Sequence, residues 1–376
     1  MTTYSPQTEA ELAECIHAAD APLRIQGGGT RPVGQVVAHD LVEMSQMAGI
    51  TLYDPGALTL VAQAGTPLQQ IQDTLLAERQ RLAFEPQDLR GLLGTSGQST
   101  IGGVVASNSS GPRRIQCGAC RDFALGVRFV DGAGTVLKNG GRVMKNVTGY
   151  DLVKLLSGSW GTLGVLSEVS LKTQPTPETS ACILINGLSD AEAVAAMSQA
   201  LSSPFEITGA AHAPVGVDGL PVTMLRIEGF DGSVSYRTEK LRDMFGTFDV
   251  SVERDPERLQ AGWRWVRDVE MMHGQSGDVW RISCKPSDGP DLVSRLNAKS
   301  VLYDWGGGLI WALMPEGRDL RAVLGAFGGH ATLMRSGATD PTIATFQPEP
   351  AALATLSTSL RAKFDPKGIL NSGIMA

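Results

Sequence analysis

Apolar residues recur at helical spacing near the start of the chain. Leu12, Cys15, Ile16 and Ala19 follow Thr8 and Glu11, which are spaced as a capping box, and predict a helix over 8–19. The pattern then changes: the short apolar strand Leu23–Ile25 stops at Gly27, Gly28 and Gly29. Residues 51–80 read as strand, turn, strand, helix, with Thr66 as N-cap, Pro67 at the first helical position and Leu68, Ile71 and Leu75 on one face. Residues 91–120 are small and rich in Gly and Ser, yet "TIGGVVASN" has a strand-like apolar core, so this stretch reads as a ligand-facing loop and strand. Strands are expected at 125–130 and 135–137, then a short helix over 147–159 opened by Thr148 or Asp151, then an alternating strand within 161–175. The "PTP" at 175–177 marks a domain boundary.

Residues 181–255 read strand, helix, strand, strand, helix, strand, with helices at 189–201 and 233–245 and strands that include "CILIN" and "VTMLRIEGF". That order suits a ferredoxin-like unit, a sheet with helices on one face. A partial second copy is expected from 279 to 335: "VWRISCK", a helix at 289–298, and "SVLYDWGGGLIWALM" as a hairpin. The tail from Glu349 reads as a helix followed by a loop. The expected class is α+β.

At 376 residues, 42% hydrophobic and 19% charged, the chain has the composition of an ordinary globular protein with room for two packed units. Its net charge of −7 argues against nucleic acid as the main partner, because phosphate binding needs clustered Lys and Arg. No signal peptide or membrane-length apolar run is visible, and the cysteines (Cys15, Cys117, Cys120, Cys182, Cys284) suit a reducing compartment, so the expected location is cytoplasmic.

A strand that runs into consecutive glycines can turn backbone N–H groups toward an anion, although a plain tight turn explains the same residues. Neither a Walker pattern nor a GxGxxG opening a helix is present. A second stretch, "TIGGVVASNSSG" at 100–111, combines Gly102-Gly103 with the hydrogen-bonding groups of Thr100, Ser107 and Asn108. Two such loops could grip one diphosphate from both sides. Cys117 and Cys120 have CxxC spacing without a second pair or clustered His to make a zinc site. Trp263, Trp265, Trp280, Trp305 and Trp311 suit either a packed core or a partner surface.

These loops, together with "GACRDFALGVRFVDGAG", "VTGYDLVKLLSGSWGTLGVLSEVSLK" and the tail "FDPKGILNSG", resemble the PCMH-type FAD-binding domain of the vanillyl-alcohol oxidase family. Within it, "GPRRIQCGACRDFALG", "VMKNVTGYDL", "WRISCKP" and "DWGGGLIWAL" are similar to the FAD-binding subunits of bacterial glycolate oxidases. The resemblance implies a PCMH-type FAD domain formed by 1–175 plus 340–376, with a ferredoxin-like cap over 176–339.

The resemblance also implies site residues. Gln26, Gly27, Gly28, Gly29, Thr30 and Arg31 would supply backbone donors to the diphosphate of FAD. Thr100, Ile101, Gly102, Gly103, Ser107 and Asn108 would lie along the diphosphate, ribityl chain and ring edge. Gly118, Arg121 and Asp122 would sit in the flavin cradle, a surface ion pair of Arg121 with Asp122 being the alternative. Gly164 and Val165 would approach by main chain. Some relatives join the flavin covalently to a His after the glycines; Thr30 stands there in this chain, so FAD should be held non-covalently. Catalytic relatives carry a His-rich "HxGDGNxH"-like motif that this chain lacks. Its histidines are scattered at 17, 39, 212, 273 and 330. His273 is the candidate base and Arg281 the candidate carboxylate partner, although a His at a helix edge explains His273 as well. The function implied is the FAD-binding subunit of a complex oxidising glycolate to glyoxylate, acting in electron relay or assembly. The expected partners are a catalytic flavin subunit, an iron–sulfur subunit and a small 2-hydroxy acid, with membrane contact on the inner face only through those partners. A self-sufficient 2-hydroxy-acid dehydrogenase and a module that has lost FAD are the alternatives.

Overall fold

A computed structural model describes residues 1–142, 149–337 and 343–375. Helix Glu9–Ala18 forms where the apolar spacing predicts it, with the Thr8 hydroxyl accepting the Glu11 N–H. It packs beside a small parallel sheet in the order Thr3–Tyr4, Asp40–Glu43, Leu23–Gln26. A five-stranded antiparallel sheet stands next to it, ordered Ile50–Asp54, Thr59–Gln63, Val165–Lys172, Ala124–Val130, Val136–Gly140. Its core is Leu60, Ile71, Leu75, Phe84, Phe129, Val169 and Leu171.

Two expectations fail here for physical reasons. Thr66 does not cap the helix Leu68–Ala77; its hydroxyl accepts the Gly49 N–H at 2.9 Å and donates to the Gln63 carbonyl at 2.7 Å, so it is spent on the loop before. "TIGGVVASN" is not a strand. Ile101–Ala106 is a helix, capped by the Thr100 hydroxyl, which accepts the Gly103 N–H at 3.3 Å. Ile101, Val104 and Val105 are buried at the i, i+3, i+4 spacing of a helix, and Gly102 lies so close to the adjoining strand that a Cβ would stand 2.7 Å from that of Ala64. The helix expected over 147–159 is shorter, Leu152–Leu156, and is opened by Asp151, whose carboxylate accepts the Lys154 N–H. Thr148 lies outside the described residues.

Beyond Pro177 the chain builds one eight-stranded antiparallel sheet. Its first half runs Asp249–Glu253, Thr179–Asn186, Val222–Gly229, Gly209–Ala213; its second half runs Ser300–Asp304, Leu309–Met314, Asp278–Cys284, Gly329–Arg335. Each half is a βαββαβ unit. The second is complete, not partial: helix Leu320–Leu324 and the strand Gly329–Arg335 supply the elements that the apolar pattern left out. The halves meet at one bridge, His212 to Tyr303. Helices Asp190–Leu201 and Asp231–Met244 cover one face over Trp280, Ile282, Tyr303 and Ile310. The other face carries Leu302, Leu309, Trp311 and Leu313 and meets Val33, Leu89 and Leu92.

Arginine–carboxylate pairs brace this contact. Arg226 donates to Glu85 at 3.0 and 2.8 Å, and Arg113 and Arg81 both reach Glu228, at 2.7 and 2.9 Å. After helix Ala351–Phe364 the chain returns to the small sheet, where Leu23 donates its N–H to Ile369 and accepts that of Asn371.

Candidate functional site

The strand Leu23–Gln26 delivers residues 26–31 to a cleft of about 460 Å³. Facing them across it are Thr100, Gly103, Ala106 and Ser107 from the short helix, with Trp160 and Asn371 at the end. A smaller cavity of about 80 Å³ adjoins it, sharing Gly27, Thr100, Gly103, Trp160 and Asn371 and adding Gly102, Gly164 and Val165. The two glycine-bearing loops therefore form opposite walls of one site.

The glycines have separate local causes. A Cβ on Gly28 would fall 1.5 Å from the Gln98 carbonyl oxygen, and one on Gly27 would fall 2.3 Å from the Thr100 hydroxyl. Gly29 sits at φ +66, which a side chain disfavours. Gly27 and Gly28 thus let the two loops touch, and Gly29 turns the chain. Around that turn the backbone N–H groups of Gly28, Gly29, Thr30 and Arg31 have no acceptor among the described residues. A row of open donors in a cleft fits a diphosphate, which presents only acceptors. The short helix works differently. Its Ile101 and Gly102 N–H groups are bonded to Thr66 and Ala64, so it offers small residues that admit a ligand rather than a second set of donors.

The remaining predicted residues divide. Thr30 is buried, its carbonyl accepting the Thr95 hydroxyl at 3.2 Å. The Arg31 guanidinium turns away from the cleft to Ser99 (2.8 Å) and the Gln87 carbonyl (2.5 Å), and burial pushes it down to about 10. Ser107 spends its hydroxyl on the Gly103 carbonyl at 2.7 Å. Asn108, at φ +48, accepts the Arg121 N–H at 3.0 Å. Ile101, Asn108, Gly118, Arg121 and Asp122 stand outside the cleft lining. Arg121 and Asp122 are not an ion pair: Asp122 accepts the Ala119 N–H at 2.8 Å and lies 3.8 Å from Lys154.

His273 is not brought to the cleft. Its Nε2 is 2.9 Å from the Asp268 carbonyl, and its ring packs so closely on Gly91 that a Cβ there would stand 2.3 Å from it. Arg281 lies on the sheet face that also carries Trp311 and meets Val33, Leu89 and Leu92, over the Trp305 ring, and no contact joins it to His273. The pairing of His273 with Arg281 is therefore set aside. Burial pushes the Cys117 thiol up to about 11 and Cys120 higher still, so neither is a thiolate near neutral pH. The tryptophans mostly serve the core: Trp280 and Trp311 are fully enclosed on opposite faces of the large sheet, and Trp263 packs under Arg226.

Two cleft residues escaped sequence reasoning. Asn371 accepts the Ile25 N–H at 2.8 Å and donates to the Trp160 carbonyl at 2.7 Å, fastening the tail to both walls. Trp160 lines the cleft directly. The motifs "GSWGTLGV" and "ILNSG" contain them, but a motif does not say which member faces inward.

Residues 3–140 match a family profile described as an FAD binding domain. The chain is 34% identical to glycolate oxidase subunit GlcE of Escherichia coli (strain K12), over 94% of this chain and 92% of that one. It is 32% identical to glycolate oxidase subunit GlcD of Bacillus subtilis (strain 168), over 74% of this chain and 56% of that longer one. Among solved structures it resembles an alkyldihydroxyacetonephosphate synthase (TM-score 0.72, 18% identity, covering 98% of this chain and 76% of that one). It also resembles 4-ethylphenol oxidase from Gulosibacter chungangensis (TM-score 0.71, 12% identity, covering 99% and 89%). These likenesses establish the PCMH-type fold, and FAD is the cofactor that the matched domain carries. No helix among the described residues is long and apolar enough to cross a membrane. On an alignment that takes in nearly the whole of both chains, the protein belongs to the GlcE family of FAD-dependent oxidoreductase subunits.

Proposed function

We propose that this chain is the FAD-carrying subunit of a glycolate oxidase complex, and that it relays electrons within the complex without oxidising glycolate by itself. The observation that carries the reading is the row of open N–H donors from Gly28 to Arg31, set across a cleft from Thr100, Gly102, Gly103 and Ser107 in a chain of the GlcE family. Those donors hold the diphosphate. Gly27 and Gly103 admit the ribityl chain, and Gly164 and Val165 border the smaller cavity where a flat ring edge fits. Gln26 and Thr30 anchor the first loop. Arg31 braces it from behind through Ser99, and Asn108 positions the backbone of Arg121 beside Gly118 and Asp122. Bound FAD supplies the hydride and electron acceptor that no side chain provides. Because Thr30 stands where a histidine link would be, the cofactor is held non-covalently.

The relay assignment rests on the absence of the His-rich motif in the sequence and on the placement of His273 away from the cleft. The partners are then a catalytic flavin subunit and an iron–sulfur subunit, and the assembly works on the cytoplasmic side of a membrane that this chain meets only through them. One observation favours a self-sufficient dehydrogenase instead: among the described residues the Arg281 guanidinium has no ion-pair partner. Anaerobic mixing of the flavin-loaded chain with glycolate separates the readings. Relay predicts an unchanged oxidised flavin spectrum for the chain alone and bleaching once the catalytic subunit is added; bleaching of the isolated chain contradicts it.

A further inference from the structure

The backbone of the glycine loop prepares the cleft for negative charge, and one side chain adds to it. Among the described residues, neither the lining of the cleft nor that of the adjoining cavity contains an Asp or Glu. Two arginines line the cleft, Arg24 and Arg31. Arg31 is spent: its guanidinium donates to the Ser99 hydroxyl at 2.8 Å, to the Gln87 carbonyl at 2.5 Å and to the Ser109 hydroxyl at 3.5 Å. Arg24 is not. It stands half-buried in the lining, and among the described residues its side chain makes no hydrogen bond, ion pair or ring contact.

Strand alternation puts it there. Leu23 and Ile25 pack with Leu12, Ile16 and Val42, so Arg24 and Gln26 point the opposite way. Both edges of the strand are tied. Arg24 pairs in register with Leu41 on one side. On the other side the tail holds Leu23 through Ile369 and Asn371, and the Ile25 N–H goes to the Asn371 side chain at 2.8 Å. Gln26 does not compete for the role. It is neutral and folds over the turn, where a Cβ on Gly29 would stand 3.2 Å from its amide nitrogen. The arginines between the flavin-side unit and the large sheet are matched instead: Arg113 and Arg226 to Glu85, and Arg267 to Asp268. A half-buried cation left unmatched gains the fold nothing, so Arg24 is a charge held on a rigid strand beside open N–H donors.

We propose that Arg24 answers the charge of the cofactor's phosphates, and so makes the cleft select a phosphate-bearing flavin over an uncharged one. Backbone donors carry only partial charges, whereas each phosphate of FAD carries a full one. A guanidinium presents paired donors that match phosphate oxygens, and its bonds to an anion are stronger than those between neutral groups. The glycines shape the grip, and Arg24 sets how tightly an anion is held in it. The identity of the ligand rests on the FAD reading above.

The test is a titration of the flavin-free full chain with FAD and with riboflavin, followed by flavin fluorescence at low and at high sodium chloride. Folding is read from the melting temperature, which should match the wild type in both variants because Arg24 makes no contact to lose. The wild type is expected to bind FAD less tightly as salt rises. Arg24→Gln should weaken FAD binding by about tenfold at low salt, since a charge-assisted pair is removed, and by less at high salt. Arg24→Lys should recover part of the loss, and riboflavin uptake should be the same in all three proteins. Unchanged FAD affinity in folded Arg24→Gln overturns the proposal. So does a deficit that salt leaves untouched and lysine does not recover, because that loss is one of shape, and so does a riboflavin deficit as large as that for FAD. The wild type's salt dependence reads the charge without any variant, and FAD affinity indifferent to salt also overturns the proposal. A wild type that takes up no FAD at either salt sinks the cofactor reading itself, and this proposal with it.

Discussion

Gly28 has no room for a methyl group, because a Cβ would sit 1.5 Å from the Gln98 carbonyl oxygen, and neither partner is a side chain that can swing away. Gly28→Ala should therefore push the two cleft walls apart, at a cost near the upper end of the roughly 1–3 kcal/mol typical of overpacking, and should lower flavin occupancy more than it lowers the melting temperature. Retained stoichiometric flavin in that variant would mean that the loops are not the grip. Thr30 carries a different prediction: acid precipitation of the flavin-loaded protein should leave the yellow colour in the supernatant. Asp304 carries a third. Burial pushes its carboxyl up to about 7 against the Trp305 N–H, with Glu85 adding to the rise and Arg226 and Arg281 opposing it. A raised carboxyl favours folding while it keeps its proton, so its contribution is complete below the ordinary carboxylate range and is lost as pH climbs to about 7. The melting temperature of the wild type relative to Asp304→Asn should fall across that window and level off above it; a constant difference would refute the assignment.

At the scale of elements, the sequence was most readable where apolar spacing was long and regular. Helix Glu9–Ala18 and the βαββαβ order of 179–253 follow directly from period and turn residues. The second βαββαβ unit was only half visible, because its last helix, Leu320–Leu324, is a single short turn-and-a-half with no room to show a period. "TIGGVVASN" misled for a related reason. Six helical residues with two glycines read as a strand, and only the packing against Ala64 decides between them. The two glycine loops, and their reading as two sides of one diphosphate grip, could be found in the sequence, but not which of their residues face the cleft. Asn371 could not be singled out, since its role depends on a tail that returns from far along the chain. Asn371→Ala should leave the Ile25 N–H and the Trp160 carbonyl without partners, at about 1–3 kcal/mol for each buried group, and loosen flavin binding together with thermal stability. Flavin affinity equal to wild type would show that the tail merely covers the cleft.

Over the whole molecule, the seam between the flavin-side unit and the large sheet is where stability and function meet. The Arg81, Arg113, Arg226, Glu85 and Glu228 cluster clamps it. Glu228→Gln should cost about 3–5 kcal/mol, because buried arginines lose the charge they were matched to. A drop in the melting temperature without a change in the flavin spectrum would place the clamp in the seam, and a stability equal to wild type would remove it from the account. The sequence's family likeness foretold the cofactor; the arginine–carboxylate clamp emerged only when segments distant in sequence were brought together. In the relay reading this chain carries FAD for a complex and does not oxidise glycolate alone. The most direct measurement is the anaerobic absorbance spectrum of the purified, flavin-loaded chain before and after glycolate is added. A non-covalent flavin that stays oxidised until the catalytic subunit is supplied is the expected result, and a flavin that bleaches in the isolated chain would overturn the relay reading.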